Sequence, residues 1–193
     1  MGFSEVIQPE EMTNAWYLKQ NIQEHAAAAN LPSTFYFADE ERLHYYSKID
    51  FSDPDKLYDW MYEPHPLLAF IGENSTNYAA LLMRFWMSRR FLQVPSPLRF
   101  YFADAHHAAT KYTQVAQFGR DLDSNYDNII EASTFLVLDA VDCADKADVA
   151  TLLHILRARI KTGYFTVLTF GHNAFNPEVA ELLKKYAKVV ETP

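Results

Sequence analysis

The clearest structural pattern in the sequence lies in STFLVLDA (133–140), VATLLHILRARIKTG (149–163) and TGYFTVLTFG (162–171). The first and third stretches contain short apolar runs, which are typical of strands that are buried on both faces. The second has apolar residues at helical spacing. Because a helix between two buried strands is the usual crossover of a parallel sheet, these stretches predict an α/β protein.

The same alternation extends to both sides of this region. Strands are predicted at LLAFIG (67–72), LRFYFA (98–103) and KVVE (188–191), and helices at TNYAALLMRFWMSRRF (76–91) and NPEVAELLKKY (176–186). We therefore predict a three-layer α/β/α fold with a five-stranded parallel sheet.

The first 62 residues do not show this alternation of strands and helices. It contains a helical pattern from Pro9 to about Asn30, an aromatic-rich stretch over 31–53, and a short helix from Asp53 to Met61 that opens with Asp-Pro. We predict that residues 1–62 form a helical and aromatic segment packed on a core of residues 63–193, in one compact domain.

Composition and charge exclude several classes of protein. The formal net charge is −8 with a pI near 5.3, so direct binding of nucleic acid or of an anionic membrane is disfavoured. The single cysteine, Cys143, cannot form an internal disulfide, and no apolar run has the length of a membrane span. These features predict a cytoplasmic protein without a membrane partner.

The turn after the first predicted strand is where a phosphate loop, G-x-x-x-x-G-K-[ST], would lie. Gly72 supplies the first glycine of that frame. Asn77 stands in place of the second glycine, Tyr78 in place of the lysine and Ala79 in place of the hydroxyl residue. The frame therefore contains one of its four defining residues.

The later motifs resemble those of a known family. Leu136–Ala140, Leu152–Arg159 and Phe165–Asn173 resemble, in order and spacing, motifs of the AAA+ ATPases of the bacterial helicase-loader group (DnaC, DnaI and IstB-like proteins). DnaA and its regulatory relatives share this core and are a near alternative. The resemblance covers residues 50–191 and implies a P-loop-NTPase-like fold whose nucleotide-site positions are Gly72, Asn77, Tyr78, Ala79, Asp139, Ala140, Thr169 and Asn173.

The departures from the family pattern affect its chemistry. Ala140 replaces the acid that activates water, no arginine follows Arg159, and the sequence leaves no room for a C-terminal helical lid. We therefore predict a protein that is not an enzyme, requires no cofactor and does not hydrolyse ATP. The alternative is an active nucleotide-binding enzyme with an atypical phosphate loop.

The resemblance also points to a partner. It implies a protein-binding module in DNA replication, an accessory or regulatory subunit that contacts an AAA+ replication ATPase or the replicative helicase, with self-association as a further expectation. The candidate interaction residues are Trp16, Tyr17, Arg84, Arg89 and Arg90. Solvated helix faces and core packing are the simpler explanation for these residues.

Asp139 has two interpretations. It is a candidate metal ligand at the end of a buried strand, or a polar residue that simply ends that strand. No other metal site is predicted.

Overall fold

The computed structural model describes residues 22–36, 67–90, 99–118, 126–172 and 175–192. The predicted helix over 53–61, and the part of the first predicted helix before residue 22, lie outside these ranges. Within the described part of the chain, no helix is long and apolar enough to cross a membrane.

A single parallel sheet forms the centre of the protein. Its five strands have the order β2-β3-β4-β1-β5. The strands are β1 (Leu67–Ile71), β2 (Phe100–Asp104), β3 (Phe135–Asp139), β4 (Phe165–Phe170) and β5 (Ala187–Glu191). Every neighbouring pair is parallel, which confirms the predicted α/β class and its five-stranded parallel sheet.

Helices cover both faces of this sheet. They are α1 (22–28), α2 (Ser75–Arg90), α3 (Ala105–Phe118), α4 (Tyr126–Ala132), α5 (Lys146–Thr162) and α6 (Pro177–Tyr186). Buried residues of α1 and α2 form one core, and those of α3, α4, α5 and α6 form the other. The predicted three layers are therefore present.

The strand β1 shows why this sequence requires two layers of helices. All of its residues are buried. Leu67, Ala69 and Ile71 belong to one core, whereas Leu68 and Phe70 belong to the other. Because successive strand side chains point to opposite faces, a continuous apolar run is buried only when both faces are covered.

The outer edge of β2 is contacted by the segment that follows α1. Phe102 N–H donates to the Ala29 carbonyl at 2.8 Å, and the Asn30 side-chain amide donates to the Phe102 carbonyl at 2.9 Å. Ala26, Ala29 and Leu31 are buried in the α2 core. This segment therefore satisfies backbone groups on one edge of the sheet.

A buried arginine holds the amino ends of β3 and β4 together. The Arg159 side chain of α5 is fully buried, and its Nε donates to Thr166 Oγ1 at 2.8 Å. Its terminal nitrogens donate to backbone carbonyls at the end of α4 and near the starts of β3 and β4. These acceptors, at 2.7 to 3.2 Å, are the carbonyls of Ile130, Glu131, Ser133 and Phe165. Burial lowers the pKa of Arg159 to about 10, well above neutral pH, so the guanidinium remains charged.

Candidate functional site

Three polar side chains meet at the carboxyl ends of β1, β3 and β4. Asp139 Oδ1 accepts hydrogen bonds from Thr76 Oγ1 at 2.7 Å and from Thr169 Oγ1 at 2.5 Å. We call these residues the Asp139 cluster. Ligands of open parallel α/β sheets bind beyond the carboxyl ends of the strands, so this is the candidate functional site.

The backbone around Asp139 fixes the cluster. Asp139 is the last residue of β3, and Thr169 lies near the end of the neighbouring β4. Ala140 adopts a left-handed conformation with φ of 55°, and its N–H donates to Thr169 Oγ1 at 2.8 Å. Thr169 is itself fully buried, so its hydroxyl position is set by packing as well as by hydrogen bonds.

The loop between β1 and α2 consists of Gly72, Glu73 and Asn74 and borders the cluster. Gly72 has φ of 132°, and its N–H donates to the Phe170 carbonyl at 2.9 Å. Thr192 lies against the same turn, because its N–H donates to the Ile71 carbonyl at 2.7 Å. The loop is therefore short and held by neighbouring strands on both sides.

The predicted phosphate frame is only partly assembled at this site. Gly72 is at the loop, but Asn77, Tyr78 and Ala79 are inside α2. Tyr78 is 3% exposed and its ring lies 5.9 Å from that of Phe70, and Ala79 is fully buried. The lysine and hydroxyl positions of the frame thus correspond to core residues.

Thr76 is the functional candidate that the sequence reasoning missed. The frame assigned the hydroxyl position to Ala79, whereas the residue that contacts Asp139 is Thr76. The signal was available, because Thr76 is a hydroxyl residue in the first turn of the helix after Gly72. The phosphate frame has the length of a standard phosphate loop, whereas the loop here has three residues. The frame therefore places the hydroxyl position about one helical turn too far along the chain. Asn173, the remaining predicted site residue, lies outside the described residues.

A second carboxylate organises the loop after β4. Asp142 accepts hydrogen bonds from the Gly171 and His172 N–H groups at 3.1 and 3.0 Å, and lies 3.3 Å from His172 Nδ1. Its side chain is 6% exposed, whereas that of His172 is 86% exposed. Asp142 therefore has a structural role, joining the ends of β3 and β4 next to the Asp139 cluster.

An ion pair connects α3 to α5 near the same end of the sheet. His106 Nδ1 lies 2.5 Å from Asp148 Oδ2, and the Asp148 carboxylate is nearly buried. The hydrogen bond to Asp148 and its negative charge raise the pKa of His106, and the Asp104 and Asp145 carboxylates contribute further.

This ion pair predicts a pH dependence of stability. A histidine whose pKa is raised by folding stabilises the protein fully below its unfolded pKa of about 6.5, and the contribution is lost as pH rises through the folded value. We expect the melting temperature to fall as pH rises above about 6.5, and the His106→Gln variant to lose this component. Thermal unfolding followed by circular dichroism measures it. An identical pH dependence of the melting temperature in wild type and variant would contradict a stabilising role of the His106–Asp148 pair.

The candidate interaction residues are only partly described. Arg84 Nε donates to the Tyr36 carbonyl at 3.5 Å, and burial lowers the pKa of Arg84. Its side chain therefore contacts the segment after α1. Trp16 and Tyr17, and the side chains of Arg89 and Arg90, lie outside the described part.

A nucleotide with Mg²⁺ is the ligand that the family resemblance implies for the Asp139 cluster. Hydroxyl and carboxylate oxygens of Thr76 and Asp139 are hard donors that suit Mg²⁺. The loop does not fit a triphosphate in the usual way, because it has only three residues between β1 and α2, and the lysine and hydroxyl positions of the phosphate frame are core residues. No group of three or more metal-ligating side chains occurs among the described residues.

The sheet order and the hydroxyl–carboxylate cluster define a P-loop-NTPase-like α/β fold. More particularly, the fold is that of solved AAA+ replication proteins. The DnaC helicase loader matches with a TM-score of 0.57 and 14% identity, over 84% of this chain and 100% of that chain. AMPPCP-bound DnaA from Aquifex aeolicus matches with a TM-score of 0.56 and 13% identity, over 84% of this chain and 51% of that chain.

A third similar structure is a primosome component from Streptococcus pyogenes, with a TM-score of 0.56, 15% identity, and coverage of 91% of this chain and 97% of that chain. The chain spans about half the length of the matched DnaA and of a matched replication initiation factor. No family model matches the sequence, and no curated protein matches it in sequence. The similarity therefore confirms the predicted resemblance at the level of the fold.

These similarities correct one prediction. The prediction that this protein is not an enzyme, made from the departures from the family pattern, is contradicted. The fold is AAA+ ATPase-like, and a DnaA with this fold was solved with AMPPCP, an ATP analogue, bound. The inference was also drawn from Tyr78 and Ala79, which are core residues and say nothing about the chemistry at Asp139.

Proposed function

We propose that this protein acts in DNA replication as a helicase-loader-like or initiator-like accessory protein that binds an AAA+ replication ATPase or the replicative helicase. The observation that carries the proposal is the extent of the fold similarity. The chain covers all of a solved DnaC helicase loader and nearly all of a primosome component.

Charge supports a protein partner over a nucleic acid. The net charge of −8 repels phosphate backbones at long range. In addition, Arg84, one of the three candidate basic residues on α2, contacts a backbone carbonyl of the chain itself. The same negative net charge favours binding to a protein with a basic surface.

The proposal is tested by affinity capture of the tagged full chain from its native host, followed by identification of the bound proteins. We expect the replicative helicase or an AAA+ replication protein to be enriched. The control is an unrelated tagged protein of similar size and net charge, which should enrich neither class of protein. Recovery of neither class of protein, or equal recovery with the control, would contradict the proposal.

Nucleotide binding at the Asp139 cluster is a second candidate function. It is favoured by the contact of Thr76 with Asp139 and by the AMPPCP bound to the similar DnaA. Asp139 and Thr76 would hold the metal, and Mg²⁺ would neutralise phosphate charge. The short loop and the tyrosine at the lysine position of the frame argue against it.

Calorimetric titration with ATP and Mg²⁺ measures this second function. If the site binds nucleotide, the Asp139→Ala variant should weaken binding at least about tenfold, because a charge-assisted contact contributes about 1.5–3 kcal/mol. The Thr113→Val variant removes a hydroxyl that bonds Thr151, away from the cluster, and should leave binding unchanged. Absence of heat with wild type, or equal affinity in both variants, would eliminate this candidate.

A further inference from the structure

The strand β5 forms an edge of the sheet whose outer side pairs with no described residue. Thr192 N–H donates to the Ile71 carbonyl, which fixes the orientation of the backbone beyond β5. Because backbone groups of successive strand residues alternate sides, Val190 and Lys188 also face β1. The N–H and carbonyl groups of Ala187, Val189 and Glu191 therefore face outward.

One face of this edge strand has an apolar centre. Val189 is 48% exposed and is the exposed large hydrophobic residue of the described chain. Edge strands are normally protected by charge, proline or bulges. The strand has two charged residues: Lys188, whose side chain is on the opposite face from Val189, and Glu191 at the end of the strand. An edge that no described residue covers, with an apolar centre on one face, is a template for another strand.

The sequence of the edge is complementary to itself. When two copies of β5 are antiparallel and centred on Val189, the outward-facing residues pair only with one another, Val189 with Val189 and Ala187 with Glu191. About six backbone hydrogen bonds form in this register. Paired side chains lie on the same face, so Glu191 of the second copy lies beside Ala187, which directly follows the last turn of α6.

The charged residues near the ends of β5 favour the same antiparallel register, centred on Val189. The last turn of α6 contains two exposed lysines, Lys184 and Lys185. A carboxylate from the second copy would therefore meet positive charge at each end of the paired strands. We propose that β5 is a self-association surface, through which two copies of this chain join their sheets into one continuous sheet. The proposal is independent of the replication partner.

The size of the contact predicts a weak dimer. A pairing of short strands buries less than the roughly 1,200 Å² that stable interfaces reach. We therefore expect a monomer at low micromolar concentration and a dimer that accumulates as the concentration approaches about 1 mM.

Size-exclusion chromatography with light scattering, from about 10 µM to about 1 mM, tests the proposal. The Val189→Pro variant removes only an outward N–H, so the ladder to β1 is retained while pairing is blocked. Val189→Lys places a charge at the centre of the edge. We expect both variants to remain monomeric with circular dichroism spectra like that of wild type.

A charge exchange tests the register. Glu191→Lys and the double variant Lys184→Glu with Lys185→Glu should each weaken association at least about tenfold, and their combination should restore it. Lys161→Glu, on the exposed end of α5, is the matched control and should behave like wild type. A monomeric wild type at about 1 mM, or association that persists in the Val189 or single-charge variants, would overturn the proposal.

Discussion

The Arg159→Met variant is expected to lose about 3–5 kcal/mol of unfolding free energy, a large part of the 5–15 kcal/mol typical of a domain. The physical reason is the set of acceptors that the guanidinium satisfies. Without it, the carbonyls of Ile130, Ser133 and Phe165 lose their Arg159 donors at the ends of α4, β3 and β4. Chemical denaturation followed by tryptophan fluorescence measures the loss.

Arg157 provides the matched control. It is on the same helix, its side chain is 67% exposed, and its contact with Glu178 is a surface ion pair at 3.8 Å. Surface pairs of this kind contribute about 0–1 kcal/mol, so Arg157→Met should leave stability nearly unchanged. Arg159→Lys should be intermediate, because an ammonium cannot reproduce the planar fork of donors. Equal effects at positions 157 and 159 would show that Arg159 does not join the strands.

The Gly72→Ala variant is expected to destabilise the protein by about 2–4 kcal/mol. Two effects add at this position. The φ of 132° is a conformation that glycine alone adopts readily. The new methyl group would also lie 2.2 Å from the Thr192 carbonyl oxygen and 2.7 Å from Thr192 Oγ1, so the backbone on one side must move.

Gly163 is a comparison position that has a positive φ but no steric contact. It ends α5 with φ of 73°, and nothing lies within 4 Å of the position a methyl group would take. Gly163→Ala should therefore cost only the backbone term, about 1 kcal/mol. Thermal and denaturant unfolding of both variants gives the comparison. If Gly72→Ala destabilised the protein no more than Gly163→Ala does, the close packing of Thr192 against Gly72 would be contradicted.

Much of this fold could be predicted from the sequence because the strands are buried on both faces. A continuous apolar run such as Leu136, Val137 and Leu138 has few alternatives to a central parallel strand. The helix Tyr126–Ala132 was not predicted, because its seven residues are too few to show a helical period. The position of a short helix is set by tertiary contacts such as the Arg159 bond to its Ile130 carbonyl.

The site was less predictable than the fold. Asp139 and Thr169 were both named, because the resemblance to the helicase-loader group places site residues at the ends of these two strands. Their partner Thr76 was missed, since loop length cannot be obtained from composition and a shift by one helical turn moves a residue from the core to the site. Nor could the sequence reveal that Thr192 packs against Gly72, which is a contact between residues far apart in the chain.

The most direct test of the proposed replication role is a pairwise titration of the purified chain. The replicative helicase of its host, the host AAA+ initiator or loader, and an unrelated P-loop ATPase are compared by calorimetry under identical conditions. We expect one of the two replication proteins to bind with a dissociation constant of about 10 µM or tighter, and the unrelated ATPase to bind at least about a hundredfold more weakly. Absence of binding to both replication proteins, or equal affinity for all three, would contradict the account.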